Sequence, residues 1–101
     1  MELVTAADLE QLKATGKSIL ADYFANWCGP CKALMPRLEN LEKDYPNVKF
    51  VKLNVDENMD HSIQMGIRSV PTVVFFKDGA EYNRSSGANP NGFYKDILND
   101  L

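Results

Sequence analysis

Residues 18–25, Ser-Ile-Leu-Ala-Asp-Tyr-Phe-Ala, are almost continuously apolar. That is the pattern of a central strand covered on both faces rather than of one exposed on one side. After Cys28 the period lengthens: Leu34, Leu38, Leu41 and Tyr45 follow at i, i+4, i+7 and i+11, which predicts a helix from about residue 30 to about residue 45. Pro36 lies inside it and is expected to kink its first turns, because it removes one backbone donor. Before the apolar run, residues 1–4 suit a short edge strand. Thr5 and Asp8 resemble a capping box, with Ala6, Leu9 and Leu12 on one face of a helix over residues 6–15 that Gly16 stops. Residues 48–55 alternate as a second buried strand, in which Lys52 is the odd member. A short helix is predicted over residues 56–65, with Met59, Ile63 and Met65 at helical spacing, both methionines in the core, and Gly66 as its stop. Residues 72–76 are strongly β-forming, Asp78-Gly79 is a two-residue turn signal, and residues 81–86 are a polar returning strand suited to an edge. Asn89 then reads as a cap and Pro90 as the first position of a last helix that buries Phe93, Ile97, Leu98 and Leu101.

The order is βαβαβ, a short helix, a β-hairpin and a closing helix. This is an α/β fold with a mixed sheet, and right-handed crossovers put helices on both of its faces. At 101 residues the chain is read as a single domain over residues 1–101, with no repeat or linker. No apolar stretch approaches the ~20 residues that span a bilayer. A net charge of -3 and a pI near 5.0 disfavour nucleic acid or an anionic membrane as a partner. Met-Glu-Leu-Val lacks the pattern of a secretory signal, so a cytoplasmic location is expected.

The chemistry concentrates in Trp27-Cys28-Gly29-Pro30-Cys31-Lys32, which holds both cysteines and the only tryptophan. Closing so short a loop is worth about 2 kcal/mol before strain, so a bond here does little for folding. In a reducing compartment such a pair is catalytic or metal-binding. Three readings stay open: a redox pair, half of a zinc site and two inert core thiols. Zinc needs four ligands in a structural site, and His61, read as solvated, is the only histidine. A strand delivers the chain to Cys28 and a helix starts just beyond it. The Cys28 sulfur therefore lies where free amides and the positive end of the helix dipole favour a thiolate. Asp22 interrupts the apolar strand; left unpaired it would have a raised pKa and could act as a base, and otherwise it is satisfied by local hydrogen bonds. Pro71 could simply start a strand, and Trp27 could be partly buried core. Met35 is placed near the active-site rim, and Glu39, Glu42, Lys43 and Asp44 on a wet helix face.

Ala25-Asn26-Trp27-Cys28-Gly29-Pro30-Cys31-Lys32 closely resembles the active-site sequence of the thioredoxin family. The match continues through Asp22, Pro36, Lys52 to Asp56, Gly66-Ile67-Arg68, Val70-Pro71-Thr72, Phe76 to Gly79 and Gly87-Ala88, nearly the whole chain. The resemblance implies the thioredoxin fold, three layers with a central mixed five-stranded sheet flanked by four helices, and the activity of a protein-disulfide reductase. Cys28 would be the nucleophile and Cys31 the resolving thiol, closing an intramolecular disulfide. Asp22, with Lys52 as its neighbour, would help deprotonate Cys31. Pro71 would be cis, and Trp27, Gly29, Pro30, Val70, Gly87 and Ala88 would form an apolar docking rim. No bound cofactor is implied: electrons would come from NADPH through a thioredoxin reductase to a monomer whose substrates are disulfide-containing proteins. Gly29-Pro30 between the cysteines favours reduction over the oxidase or isomerase activities found elsewhere in the superfamily; a non-catalytic role as a subunit of another assembly is the rival of a different class.

The thiol pKa of about 7 associated with thioredoxins is taken over from the family. Relative to a free thiol near 8.5, it raises the thiolate fraction at pH 7 from roughly 3% to roughly half, while a Brønsted slope of about 0.5 costs around sixfold in nucleophilicity. The net gain is only ~3-fold. A better leaving group, substrate docking and a nearby resolving thiol must supply the rest. Phe24, Asn26, Met65 and Ser86 depart from common family choices, and since Asn26 and Ser86 border the rim, substrate range is what they affect.

Overall fold

In the computed structural model, which describes residues 1–101, Thr5 caps α1 (Ala6–Ala14) with the anticipated capping box. The Thr5 hydroxyl accepts from the Asp8 amide at 3.1 Å and the Asp8 carboxylate accepts from the Thr5 amide at 3.0 Å. Thr5→Ala is expected to cost about 1 kcal/mol, read from the urea midpoint. An unchanged midpoint would mean that the Asn58 side chain, which accepts from the Ala6 amide at 2.9 Å, holds this helix end alone.

Five strands form one sheet: β1 (Glu2–Leu3), β2 (Ser18–Phe24), β3 (Val48–Asn54), β4 (Thr72–Lys77) and β5 (Ala80–Ser86), in the order β1-β3-β2-β4-β5. β3 runs parallel to β1 and β2, whereas β4 is antiparallel to β2 and β5. β2 is central, as its apolar run requires. Its alternate residues feed two cores. Leu20 packs with Phe50 and Phe75 against Leu34, Leu38 and Leu41 of α2 (Gly29–Glu42) and Tyr94, Ile97 and Leu98 of α4 (Asn91–Leu98). Ile19, Ala21 and Tyr23 face the other layer, with Leu9 of α1 and the segment carrying α3 (Met59–Gln64). Each fully buried Leu or Phe contributes about 1.5–3 kcal/mol, so β2 is fixed from both sides. The β4–β5 turn at Asp78-Gly79 has positive φ at both residues, 54° and 83°, the left-handed pair that a tight hairpin needs.

Several expectations are corrected. α2 ends at Glu42 rather than near residue 45: Asp44 and Tyr45 bond back three residues in a tightened turn, since Pro46 disfavours the helical region for the residue before it. The segment 56–65 is a 3₁₀ turn, Val55–Glu57, followed by the six-residue α3. So short a helix buries one stripe only. That stripe carries Ser62, whose hydroxyl donates to the Asn58 carbonyl at 2.8 Å, and His61, leaving Met59 and Ile63 exposed rather than in the core. Met65 does pack partly against the core. In α4 the buried stripe is Tyr94, Ile97 and Leu98, with Leu101 partly buried against it, and Phe93 is 39% exposed. Pro90 is the cap and Asn91 the first helical residue; the Asn89 side chain points back to the Ser86 and Gly87 carbonyls instead.

Candidate active site

β2 delivers the chain to the sheet's end, and Cys28 caps α2. Its Sγ accepts from the Cys31 amide at 3.2 Å, using a donor that would otherwise be an orphan of the first helical turn. One turn on, Cys31 is bonded to Cys28 as a disulfide, with Cα atoms 5.3 Å apart. Cys31 is buried and Cys28 only 4% exposed, in a small cluster with Ala25, Phe24, Val55 and Val70. Cys28 is the sulfur at the edge. Its Sγ lies 3.6 Å from the Val70 carbonyl oxygen, and the Val70-Pro71 peptide bond is cis.

Asp22, on the strand that leads to the pair, is fully buried, and neither carboxylate oxygen is hydrogen-bonded to another protein group. No donor from the protein itself therefore satisfies its carboxyl. Burial pushes its pKa up to about 7, with the positive charge of Lys52 opposing. Asp22 and Lys52 are register partners on β2 and β3. By alternation Asp22 shares the sheet face of Leu20, which α2 covers. The Lys52 ammonium donates not to Asp22 but to Met35 Sδ at 3.5 Å. A groove of about 450 Å³ is lined by Cys31, Lys52, Met35, Pro36 and Asn26 among others, and Asp22 does not reach it.

The remaining rim residues surround Cys28 from three segments. Trp27 is 71% exposed, so it is not core. Its indole N–H donates to Asp56 Oδ2 at 2.9 Å, and Asp56 is itself fixed by Asn54 Oδ1, which accepts from its amide at 2.9 Å. No role was foreseen for Asp56, whose partner Trp27 lies 29 residues away in the chain. Gly29, Pro30 and Ala88 are exposed, Val70 and Gly87 half-buried, Pro71 buried. Gly87, at φ 78°, donates its amide to the Pro71 carbonyl at 2.8 Å, joining the segments that carry Pro71 and Ala88.

His61 is not among them, nor is it a solvated residue. Its Nε2 lies 2.7 Å from the Tyr23 hydroxyl and its ring stacks on Tyr23 at 5.7 Å, in the layer opposite α2. Burial holds His61 below its ordinary pKa and Tyr23 above its own. No group of three or more His, Cys, Asp or Glu side chains comes together anywhere.

A strand-to-helix turn with a Cys-x-x-Cys disulfide at its helix cap, a cis-proline segment beside Cys28 and a buried carboxyl on the strand that leads to it define a thiol–disulfide oxidoreductase. The family model of thioredoxin matches residues 2–99. Thioredoxin from Mycoplasmoides gallisepticum is 41% identical over 96 residues, covering 95% of this chain and 96% of that one. The structure of Fasciola hepatica thioredoxin superposes with a TM-score of 0.90 at 41% identity, covering all of both chains. A chain in a structure describing the thiol resolving mechanism in yeast mitochondrial 1-Cys peroxiredoxin via glutathione/thioredoxin systems matches at 34% identity and a TM-score of 0.90, covering 100% of this chain and 95% of that one. The chain belongs to the thioredoxin family. It is a protein-disulfide reductase working through the Cys28–Cys31 pair.

Proposed function

We propose that Cys28 attacks and Cys31 resolves. The observation that carries this is the placement of Cys28 Sγ at the helix cap, between the Cys31 amide and the Val70 carbonyl of the cis-proline segment. In the reduced chain the Cys28 thiolate attacks one sulfur of a substrate disulfide. A mixed disulfide forms and the other substrate sulfur leaves as a thiolate, which takes its proton from solvent. Cys31 then gives its proton to the Asp22 carboxylate and attacks Cys28 Sγ, expelling the second substrate sulfur likewise as a thiolate that solvent protonates. Two electrons pass to the substrate, and the chain holds the Cys28–Cys31 disulfide. Lys52 tunes Asp22 by its charge.

Trp27, Gly29, Pro30, Val70, Pro71, Gly87 and Ala88 form the docking rim, with an extended substrate segment pairing along the Val70 backbone. A protein disulfide is the substrate, as the peroxiredoxin neighbour suggests. Electrons return from NADPH through a thioredoxin reductase, so the chain acts as a link in electron transport, without a cofactor of its own. We place it as a monomer in the cytoplasm, where the reducing poise suits a donor of electrons to disulfides. Neither nucleic acid nor membrane is a proposed partner; no helix is long and apolar enough to cross a membrane.

Equilibration of the pair with glutathione tests the direction of electron flow. A potential near the thioredoxin value of about -270 mV is expected, with turnover when NADPH, a thioredoxin reductase and insulin are supplied. A potential as oxidising as about -120 mV would reverse the assignment.

A further inference from the structure

Arg37 follows Pro36 on α2, where a lone cation would ordinarily be solvated. Its guanidinium instead reaches from the active-site helix to the segment after β5. Nε donates to Asn91 Oδ1 at 3.0 Å, and the fork's other arm donates to the Asn89 carbonyl. It takes part in none of the chain's ion pairs. Two neutral acceptors hold it, in the planar fork geometry that only arginine supplies.

The acceptor it grips is a node. The Asn89 amide donates to the Tyr94 hydroxyl at 3.0 Å, and its side chain reaches the Ser86 and Gly87 carbonyls at 3.4 Å each. The Tyr94 hydroxyl donates to the Gly87 carbonyl at 3.3 Å, and Gly87 donates to Pro71 at 2.8 Å. An unbroken run of hydrogen bonds thus leads from α2 through Asn89 and Gly87 to the residue after Val70. Residues 87–90 belong to no helix or strand, and Ala88 and Pro90 are exposed. With so little apolar burial, polar contacts set the loop's position.

We infer that Arg37 is a positioning residue for substrate docking: it ties the Gly87-Ala88 part of the rim to α2 at the height where an extended segment on Val70 meets it. This rests on the rim being the docking edge. A protein disulfide needs that loop in place, whereas a small disulfide meets Cys28 alone.

The test compares initial rates of the full chain on insulin, with dithiothreitol as electron source, with the stopped-flow rate at which the pre-reduced full chain, freed of dithiothreitol, reduces the small aromatic disulfide dithiobis(nitrobenzoate). Arg37→Met keeps the stem and removes the fork. The insulin KM is expected to rise about fivefold, the factor to which about 1 kcal/mol corresponds. Insulin kcat and the small-disulfide rate should move by less than about twofold. Arg37→Lys, which keeps the charge but not the fork, should recover part of the KM. Asn91→Ala should shift KM the same way and add little in the Arg37→Met background. An Arg37→Met chain with wild-type insulin KM, or one slowed equally on both substrates, overturns the role of Arg37. A wild-type chain that reduces the small disulfide without saturating on insulin overturns the docking reading beneath it.

Discussion

Cys28→Ser is expected to lower reduction of a protein disulfide by at least ~1,000-fold, the scale on which losing a covalent nucleophile is felt. A hydroxyl in the same cap keeps the hydrogen bond from the Cys31 amide, so helix and fold should survive, but no thiolate forms and no mixed disulfide follows. Cys31→Ser should fail one step later. Cys28 still attacks, nothing resolves the product, and the substrate stays covalently attached until dithiothreitol releases it. Crosslinks from such a trapped complex should map along Val70 and Trp27. If Cys28→Ser kept its turnover, or if Cys28→Ser rather than Cys31→Ser trapped the substrate, the division between attacking and resolving sulfur would be wrong.

The second large effect concerns Asp22 and depends on pH. Its folded pKa, about 7, lies above its ordinary value of 3.8. Between those values the folded chain binds more protons than the unfolded one, so stability falls as pH rises through this window and is level above it. The full cost of ionising the buried carboxyl is on the order of 4 kcal/mol at about 1.36 kcal/mol per pKa unit. Asp22→Asn removes that slope. Its stability relative to the parent should improve by a comparable amount between pH 4 and pH 8, whatever constant offset the buried amide adds. Urea unfolding of the oxidised forms at several pH values measures this, and parallel curves would refute a raised Asp22 pKa. The same variant should lose the proton acceptor for Cys31, so mixed-disulfide resolution should slow. An unchanged resolution rate from pH 6 to pH 9 would remove Asp22 from the mechanism while leaving its pKa intact.

Three residues stood out because each breaks a local pattern, whereas the roles given to them and to the rim around Pro71 came from the family resemblance. Asp22 is a charge in an apolar run, Lys52 the odd member of a strand, and Cys28 the point where period two gives way to period 3.6. Central and edge strands followed from apolar continuity and polarity, and β2 and β5 occupy those places. What failed turned on rotation about a helix axis. In α3 the stripe through Met59 and Ile63 competes with the face of His61 and Ser62, and the polar face turns inward because the Tyr23 hydroxyl gives His61 a partner across the layer. In α4, Phe93 and Tyr94 compete likewise, and the hydroxyl that satisfies Asn89 and Gly87 decides for Tyr94. Periodicity counts apolar atoms and cannot see hydrogen bonds that exist only after folding. For the same reason Arg37 and Asp56 carried no signal of their own: their partners lie 52 and 29 residues away in the chain.

Both lateral edges of the sheet are poor templates for another chain. β1 is two residues long, and β5 is largely exposed, with Glu81 and Arg84 paired at 2.7 Å across its outer run. Short or charged edges discourage strand addition and with it aggregation. A chain that exchanges disulfides with other proteins through Cys28 and Cys31 is thereby kept from pairing with them along edges where association would nucleate an aggregate without chemistry.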